Sequence, residues 1–283
     1  MRKGTVTVVG AGTMGNGIVE VFAVAGYFVK LFDVNEEARE HGIHAILLRL
    51  QKQFERGKLD AKPQEIMCRI QGISTLAQSE GSALVVEAAL ERLDVKQDIF
   101  RSLDNIHSPT TILATNTSSM SVTEIASVTS HPERVIGMHF FNPAPRMPLV
   151  EIVRSRMSSD DAISTAMGLA NDVGKVPIQV RDTPGFIVNR VARPFYNEAL
   201  RLVGDRVATV EQVDRIMRSA GFKMGPFELQ DMIGLDINFA ATRSTYESFF
   251  GEPRFRPHPI QRTMVNSGML GRKTGRGYYR YDE

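Results

Sequence analysis

Thr5-Val6-Thr7-Val8-Val9, running straight into Gly10-Ala11-Gly12-Thr13-Met14-Gly15, decides the fold of this chain. Every residue from Thr5 to Val9 is β-branched, which predicts a short strand. The next apolar positions, Ile18, Val19, Val21, Phe22 and Ala25, fit one side of a helix. Gly26 suits the C-terminal cap of that helix. Tyr27 to Phe32 reads as a second strand, ended by Asp33. Strand, glycine turn, helix, strand, acid is the order of a βαβ unit.

Gly10, Gly12 and Gly15 form G-x-G-x-x-G at the strand-to-helix turn. In that motif the first glycine permits the tight turn and the second lets the backbone approach a pyrophosphate. The third lets helix and strand pack closely. The helix N-terminus offers N–H groups and a positive dipole end to the phosphates, so Ala11, Thr13 and Met14 join the three glycines as candidate cofactor contacts. Asp33 follows Gly15 by 18 residues, the spacing of an acid that receives a ribose 2′-hydroxyl. The same carboxylate repels a 2′-phosphate, which favours NAD over NADP. A protein-kinase glycine loop is the competing reading. Gly17 stands where that motif has valine, and the sequence carries no V-A-I-K, H-R-D or D-F-G.

Asn35 caps a long helix running to about Arg56, with Leu47, Leu48, Leu50 and Phe54 on an apolar side and Arg39, Arg49, Lys52 and Arg56 on basic ones. Short apolar runs follow at 83–86, 111–114, 135–138, 149–153 and 176–180. Helical stretches separate several of them, one after the capping-box spacing of Ser121 and Glu124 and one starting near Ser159. Alternating strands and helices predict a largely parallel sheet with helices on both faces. After Asp182-Thr183-Pro184-Gly185 the pattern changes. Residues 186–203, 209–219 and 229–250 all read as helix, the second opening on the capping-box spacing of Thr209 and Gln212. The expected organisation is α/β: a Rossmann-type N-terminal domain over residues 1–183, then an all-α C-terminal domain over 184–283.

The 283 residues suggest about two domains. The chain is 42% hydrophobic and 23% charged, which excludes wholesale disorder. Thirty-four Lys and Arg against 32 Asp and Glu give a net charge of +2, too balanced to indicate a nucleic-acid binder. The single cysteine, Cys68, excludes a disulfide framework. No apolar run reaches the roughly 18 residues of a membrane helix, and glycines and Glu20 interrupt the weak resemblance of the N-terminus to a signal peptide. A cytoplasmic protein is expected.

His139 closes an apolar strand ahead of Phe140-Phe141-Asn142-Pro143, where ligands of open α/β sheets sit. Glu151 lies inside Leu149-Val150-Glu151-Ile152-Val153, and a buried carboxylate there needs a partner. A histidine on a neighbouring strand would supply one. Glu151 would then orient the imidazole and favour its protonated form, leaving the other nitrogen for proton transfer. A core histidine beside an edge-strand glutamate is the competing reading of the same residues. His41 and His44 lie three apart on the basic helix with no further ligand to complete a metal site, and no metal is expected. His107, His131 and His258 read as solvated loop residues, and Cys68 as a packed thiol.

The chain resembles the short-chain L-3-hydroxyacyl-CoA dehydrogenases, especially the bacterial 3-hydroxybutyryl-CoA dehydrogenases, essentially end to end. The blocks that carry the resemblance are GAGTMGNGI at 10–18, VVEAALERLDVK at 85–96, ATNTSS at 114–119 and GMHFFNPAPRMPLVEIV at 137–153. TPGFIVNR at 183–190, GPFELQDMIGLD at 225–236 and LGRKTGRGYY at 270–279 complete them. The resemblance implies an NAD-dependent, reversible oxidation of (S)-3-hydroxyacyl-CoA by a homodimer joined through its C-terminal domain, with the active site between the domains. It implies that His139 exchanges the proton of the substrate 3-hydroxyl and that Glu151 orients it. Ser118 and Asn189 would meet the substrate, and Glu91, Lys96, Ser118, Asn142 and Lys273 would line the cofactor. From the residues alone Ser118 reads as turn material, Asn189 as a solvated helix residue, Glu91 and Lys96 as surface charges, and Lys273 as a loop lysine.

The family meets the coenzyme A phosphates on the helix here spanning residues 36–56. This chain offers Arg49, Lys52 and Arg56 there, where a serine and lysines are common, with Lys58 nearby; a charged, solvated face is the alternative. The resemblance leaves the acyl group open between 3-hydroxybutyryl-CoA, 3-hydroxyadipyl-CoA and a sugar acid. A terminal carboxylate would need a cation in the acyl pocket, for which Arg146 is the candidate. A non-catalytic, crystallin-like NAD-binding protein is the rival of another class.

Overall fold

The computed structural model describes residues 3–281. The chain divides into two compact units after Asp182. In the first, β1 (Thr5–Val9), the glycine turn, α1 (Thr13–Val24) and β2 (Phe28–Phe32) form the expected βαβ opening. The rest of the unit is α2 (Glu36–Glu55), α3 (Pro63–Met67), β3 (Ile70–Ile73), β4 (Leu84–Glu87), α4 (Leu93–Ile106), β5 (Ile112–Thr115), α5 (Val122–Ala126), β6 (Val135–Phe140), β7 (Leu149–Arg154), α6 (Asp160–Asp172) and β8 (Val176–Arg181).

The eight strands make one sheet in the order β3-β2-β1-β4-β5-β6-β7-β8. All neighbours are parallel except β6 and β7. The order reverses between β1 and β4, and ligands of such sheets bind in the crevice outside the strand ends at that point. Strands β4, β5 and β6 are buried at every position, so both faces of the sheet are covered. The core includes Val8, Leu31 and Val86 from the sheet, Phe22 from α1 and Ile46 and Leu50 from α2.

Several helix starts follow the capping chemistry of the sequence. The side chains of Asn35, Ser121 and Ser159 accept from the backbone N–H of Ala38, Glu124 and Ala162. Thr209 and Gln212 form a reciprocal capping box.

The second unit is helical: α7 (Val188–Gly204), α8 (Val210–Ser219), α9 (Pro226–Ile233), α10 (Leu235–Ser248) and α11 (Pro259–Asn266). Leu200, Val213 and Phe227 pack at the centre of one of its clusters. Buried Asp214 stands in for the side-chain cap that α9 lacks, accepting from the backbone N–H of Phe227 and Glu228.

Four expectations and one competing reading need correction. The helix expected over 186–203 begins only at Val188, because Phe186 sits at φ 46°. The helix expected over 229–250 is two helices, broken at Gly234, whose φ of 102° ends the regular backbone. Glu151 is not on an edge strand, since β7 is flanked by β6 and β8. His107 is buried rather than solvated, with Nε2 2.9 Å from Ser79 Oγ, and burial pushes its imidazole down to about 4. Cys68, expected to be packed, is exposed.

Candidate active site

The three glycines of the turn do three different things. At Gly10, φ is 105° and a Cβ would stand 2.6 Å from the carbonyl oxygen of Ala88, just beyond β4. At Gly15 a Cβ would lie 1.8 Å from the Gly10 carbonyl oxygen, so α1 can follow β1 this closely only without a side chain. At Gly12, the N-cap of α1, a Cβ would meet nothing within 4 Å. The α1 N-terminus carries no side-chain cap and no acid in its first turn, leaving its donors to an anion. This cradle fits a pyrophosphate.

Asp33 is fixed beside the turn. Its Oδ2 accepts from the Ala11 N–H at 2.7 Å and its Oδ1 from the Asn35 N–H at 2.9 Å. The carboxylate therefore stands next to the cradle, where a ribose would follow the phosphates.

Across the switch point lies an ionic network that sequence reasoning only half anticipated. Lys96, on α4, is buried rather than a surface charge. Its Nζ donates to both oxygens of Glu87 at 2.8 and 3.0 Å and lies 3.2 Å from Glu91 Oε2. Glu87, the last residue of β4, is fully buried and also accepts from the Ala89 N–H and the Thr115 hydroxyl. Nothing in the sequence reading singled out Glu87. The usable signal was an acid closing an apolar strand with a lysine nine residues on. Glu91 in turn accepts from the Thr117 hydroxyl, the Ser118 N–H at 3.0 Å and, at longer range, the Ser118 and Ser119 hydroxyls. Burial pushes the Glu91 carboxyl up, but Lys96 and the Thr117 and Ser118 donors outweigh it and hold the group below the ordinary carboxylate range. Ser118 is thus tied to β4 and α4 through Glu91.

His139 and Glu151 face each other directly across the antiparallel β6–β7 pair. His139 Nδ1 is 2.8 Å from Glu151 Oε2, and both side chains are buried. That pairing fixes the ring and assigns its Nδ1 proton to the carboxylate. Asn116, after β5, accepts the Phe140 N–H on its side-chain oxygen, and the Phe141 ring lies 4.5 Å from the imidazole. The connection from β6 to β7 carries exposed Asn142 and exposed Arg146. Buried Lys175 holds this loop by donating to the carbonyls of Ala144 and Met147 at 2.6 and 2.9 Å.

The basic helix α2 divides its charges. Arg49 donates to Glu20 at 2.6 Å and to Asn16 Oδ1 at 2.8 Å, both on α1, and Gln53 takes the other oxygen of the buried Glu20. Arg49 thus neutralises an internal acid, whereas Lys52, Arg56 and Lys58 are exposed. His41 and His44 are exposed on the same helix.

Two candidates belong to the second unit. Asn189, in the first turn of α7, receives a 3.4 Å contact from Arg193 Nη2 on its side-chain oxygen. Lys273 lies in the 3₁₀ turn Arg272–Thr274 and donates to both oxygens of Asp236 at 2.7 Å. No helix among the described residues is long and apolar enough to cross a membrane.

Comparison with known proteins places these residues in context. The family described as 3-hydroxyacyl-CoA dehydrogenase, NAD binding domain, matches residues 5–183. Its counterpart, 3-hydroxyacyl-CoA dehydrogenase, C-terminal domain, matches residues 185–281. A 3-hydroxyadipyl-CoA dehydrogenase of Escherichia coli is 46% identical over 277 residues, covering 97% of this chain but only 58% of that protein, so the chain spans little more than half of that relative. A probable 3-hydroxybutyryl-CoA dehydrogenase of Bacillus subtilis is 42% identical, with 98% and 97% covered. The crystal structure of an (S)-3-hydroxybutyryl-CoA dehydrogenase from Ralstonia eutropha superposes with a TM-score of 0.93 at 41% identity, covering 99% of each chain.

Proposed function

The chain belongs to the 3-hydroxyacyl-CoA dehydrogenase family, and on that footing we propose that it oxidises the (S)-3-hydroxyl of a short acyl-CoA to the 3-oxo group with NAD, reversibly. The observation that carries this reading is the 2.8 Å bond between His139 Nδ1 and Glu151 Oε2 at the end of a buried strand. With Nδ1 engaged by the carboxylate, Nε2 is the nitrogen that takes the 3-hydroxyl proton as C3 is oxidised and returns it in the reverse direction. Glu151 keeps the ring in that tautomer and stabilises the imidazolium formed. Ser118, tethered by Glu91, holds the substrate oxygen against the imidazole, and Asn189 is a further candidate contact for the substrate.

NAD, when bound, supplies the hydride acceptor. The turn from Gly10 to Gly15 holds its pyrophosphate on backbone N–H groups, and Asp33 takes the ribose hydroxyls and repels a 2′-phosphate. Glu91, Asn142 and Lys273 line the rest of the cofactor, with Lys96 and Glu87 setting the position of Glu91. The pyrophosphate cradle and Asp33 belong to the first unit, Lys273 to the second. The second contributes Asn189 and a homodimer contact, supported by large apolar side chains left exposed at Val191, Ile216, Phe222 and Ile237. Lys52 and Arg56 draw the coenzyme A phosphates to α2. The protein works in the cytoplasm.

The test is acetoacetyl-CoA reduction followed by loss of NADH absorbance, repeated with NADPH. Turnover with NADH and much weaker turnover with NADPH is the expected result. No turnover with either nucleotide, at any acyl length up to six carbons, overturns the assignment.

A further inference from the structure

The second unit holds a cation that neither the fold nor the hydride chemistry explains. Arg193, on α7, is buried, and among the described residues no carboxylate pairs with it. Its Nη1 donates to the Asn238 carbonyl at 2.9 Å and to the Thr242 hydroxyl at 3.1 Å, both on α10. Its Nη2 makes only the 3.4 Å contact with Asn189, and its Nε, fully buried, has no hydrogen-bond partner. The guanidinium carbon lies 5.0 Å from the Tyr196 ring centroid, which braces the plane of the group.

An unpaired charge in a protein interior is strongly unfavourable, and natural interiors pair such charges or use them. The hydrogen-bonding deficit of Arg193 is not spread evenly. Nη1 is satisfied twice, while Nε is orphaned and Nη2 is weakly held. Nε–H and the adjacent Nη2–H point in parallel along one edge of the guanidinium, and that edge is the one a carboxylate binds through both oxygens.

We propose that Arg193 recognises a terminal carboxylate on the acyl chain, so that the favoured substrates are 3-hydroxyacyl-CoA thioesters of dicarboxylic acids, about six carbons long. The inference rests on the dehydrogenase reading and on Asn189 meeting the oxygen at C3. Arg193 follows Asn189 by about one helical turn, and its Nη2 lies 3.4 Å from the Asn189 side-chain oxygen. In a six-carbon chain the terminal carboxyl carbon stands three bonds beyond C3, roughly 4 Å away when extended, and its oxygens reach further. A four-carbon chain ends one bond beyond C3. The incoming carboxylate takes the place of the Asn189 contact, the longest of the three that Arg193 makes. Arg146, the candidate nominated by the sequence, is exposed on the β6–β7 connection, where water and salt blunt its charge.

The test compares two six-carbon substrates that differ only at the far end, 3-oxoadipyl-CoA and 3-oxohexanoyl-CoA, by kcat/KM for NADH-dependent reduction. Wild type is expected to prefer the carboxylated chain. In Arg193→Met the ratio of the two kcat/KM values should fall about 10²-fold, the scale of losing one member of a desolvated charge pair. Arg193→Lys should retain part of the preference, because it keeps the charge and loses the two-point fork. Thermal melts of both variants report whether they fold, and the wild-type ratio stands without them. A wild type that reduces both chains equally overturns this inference and leaves the dehydrogenase reading intact. So does an Arg193→Met variant that loses both substrates in equal proportion, because Arg193 then only steadies Asn189 and α10. A wild type inactive on both chains and on acetoacetyl-CoA overturns the dehydrogenase reading itself.

Discussion

Replacing Lys96 by methionine separates a buried structural charge from a simple cofactor contact. Lys96 Nζ is 2.8 and 3.0 Å from the two oxygens of Glu87 and 3.2 Å from Glu91 Oε2. Its side chain and that of Glu87 are 1% and 0% exposed, so solvent does little to screen the pair. Met fills a similar volume without charge, and Glu87 is then left with only the Ala89 N–H and the Thr115 hydroxyl. Breaking a buried pair from one side costs about 3–5 kcal/mol, a large share of the roughly 5–15 kcal/mol by which domains are folded. Removing both charges is much cheaper, since a buried pair is worth little against neutral groups of the same size. Urea unfolding should therefore show Lys96→Met losing about 3–5 kcal/mol. Glu87→Gln/Lys96→Met should recover a coupling energy of at least about 1 kcal/mol. In the single variant kcat should also fall, because Ser118 is held through Glu91 and Glu91 is held by Lys96. The reasoning is refuted if Lys96→Met unfolds within about 0.5 kcal/mol of wild type, the range of ordinary surface substitutions, and changes only the KM for NAD.

Three further outcomes follow from the same geometry. His139→Gln should keep NAD binding, read by NADH fluorescence titration, while turnover falls about 10²–10⁴-fold, the usual contribution of a positioned acid–base group; full turnover would exclude proton transfer by His139. On α2, Lys52→Ala/Arg56→Ala should raise the KM for acyl-CoA, with a weaker salt dependence than wild type. Arg49→Ala should instead lower stability, because it strips the main partner from the buried Glu20; a lowered Tm in the first variant and not in the second would reverse these roles. His107 ties the pH dependence of stability to burial, which with the charges of Arg134 and Lys30 pushes its imidazole down to about 4 from an ordinary 6.5. The unfolded chain takes up this proton first, so the contribution of His107 is intact above pH 6.5 and is lost as pH falls toward 4. His107→Gln should flatten the Tm curve between pH 6.5 and 4, and a curve parallel to wild type would show that another group governs acid loss.

What was legible in the sequence, and what was not, divides along one physical line. The opening βαβ unit was readable because each signal is local. Five β-branched residues, the G-x-G-x-x-G turn, of which backbone contacts demand Gly10 and Gly15, and an acid at the end of β2 are all recognisable by their spacing within one short stretch. The capping residues Asn35, Ser121, Ser159 and Thr209 were readable for the same reason. The His139–Glu151 pair was half legible: burial alone demanded a partner for Glu151, but naming His139 required knowing that β6 and β7 are antiparallel and in register. Strand β3 escaped because it has four residues and a glycine, Gly72, whose missing side chain lets Arg39 of α2 lie against the sheet edge. The break at Gly234 escaped because apolar spacing continues on both sides of a single residue of positive φ.

The largest gap concerns ion pairs whose partners are distant in sequence. Arg49 reads as a phosphate ligand until Glu20, 29 residues earlier, is seen beneath it. Lys96 reads as a surface charge until β4 brings Glu87 against it. Arg193 draws no attention in the sequence, and only its burial without an acid singles it out. A charged side chain shows its sign in the sequence but not its desolvation, and desolvation decides whether the charge holds the fold together, awaits a ligand or merely faces water. Those two arginines and one lysine, alike in sign, therefore carry two different expectations here. Losing Arg49 or Lys96 should cost stability, and losing Arg193 should cost discrimination between substrates.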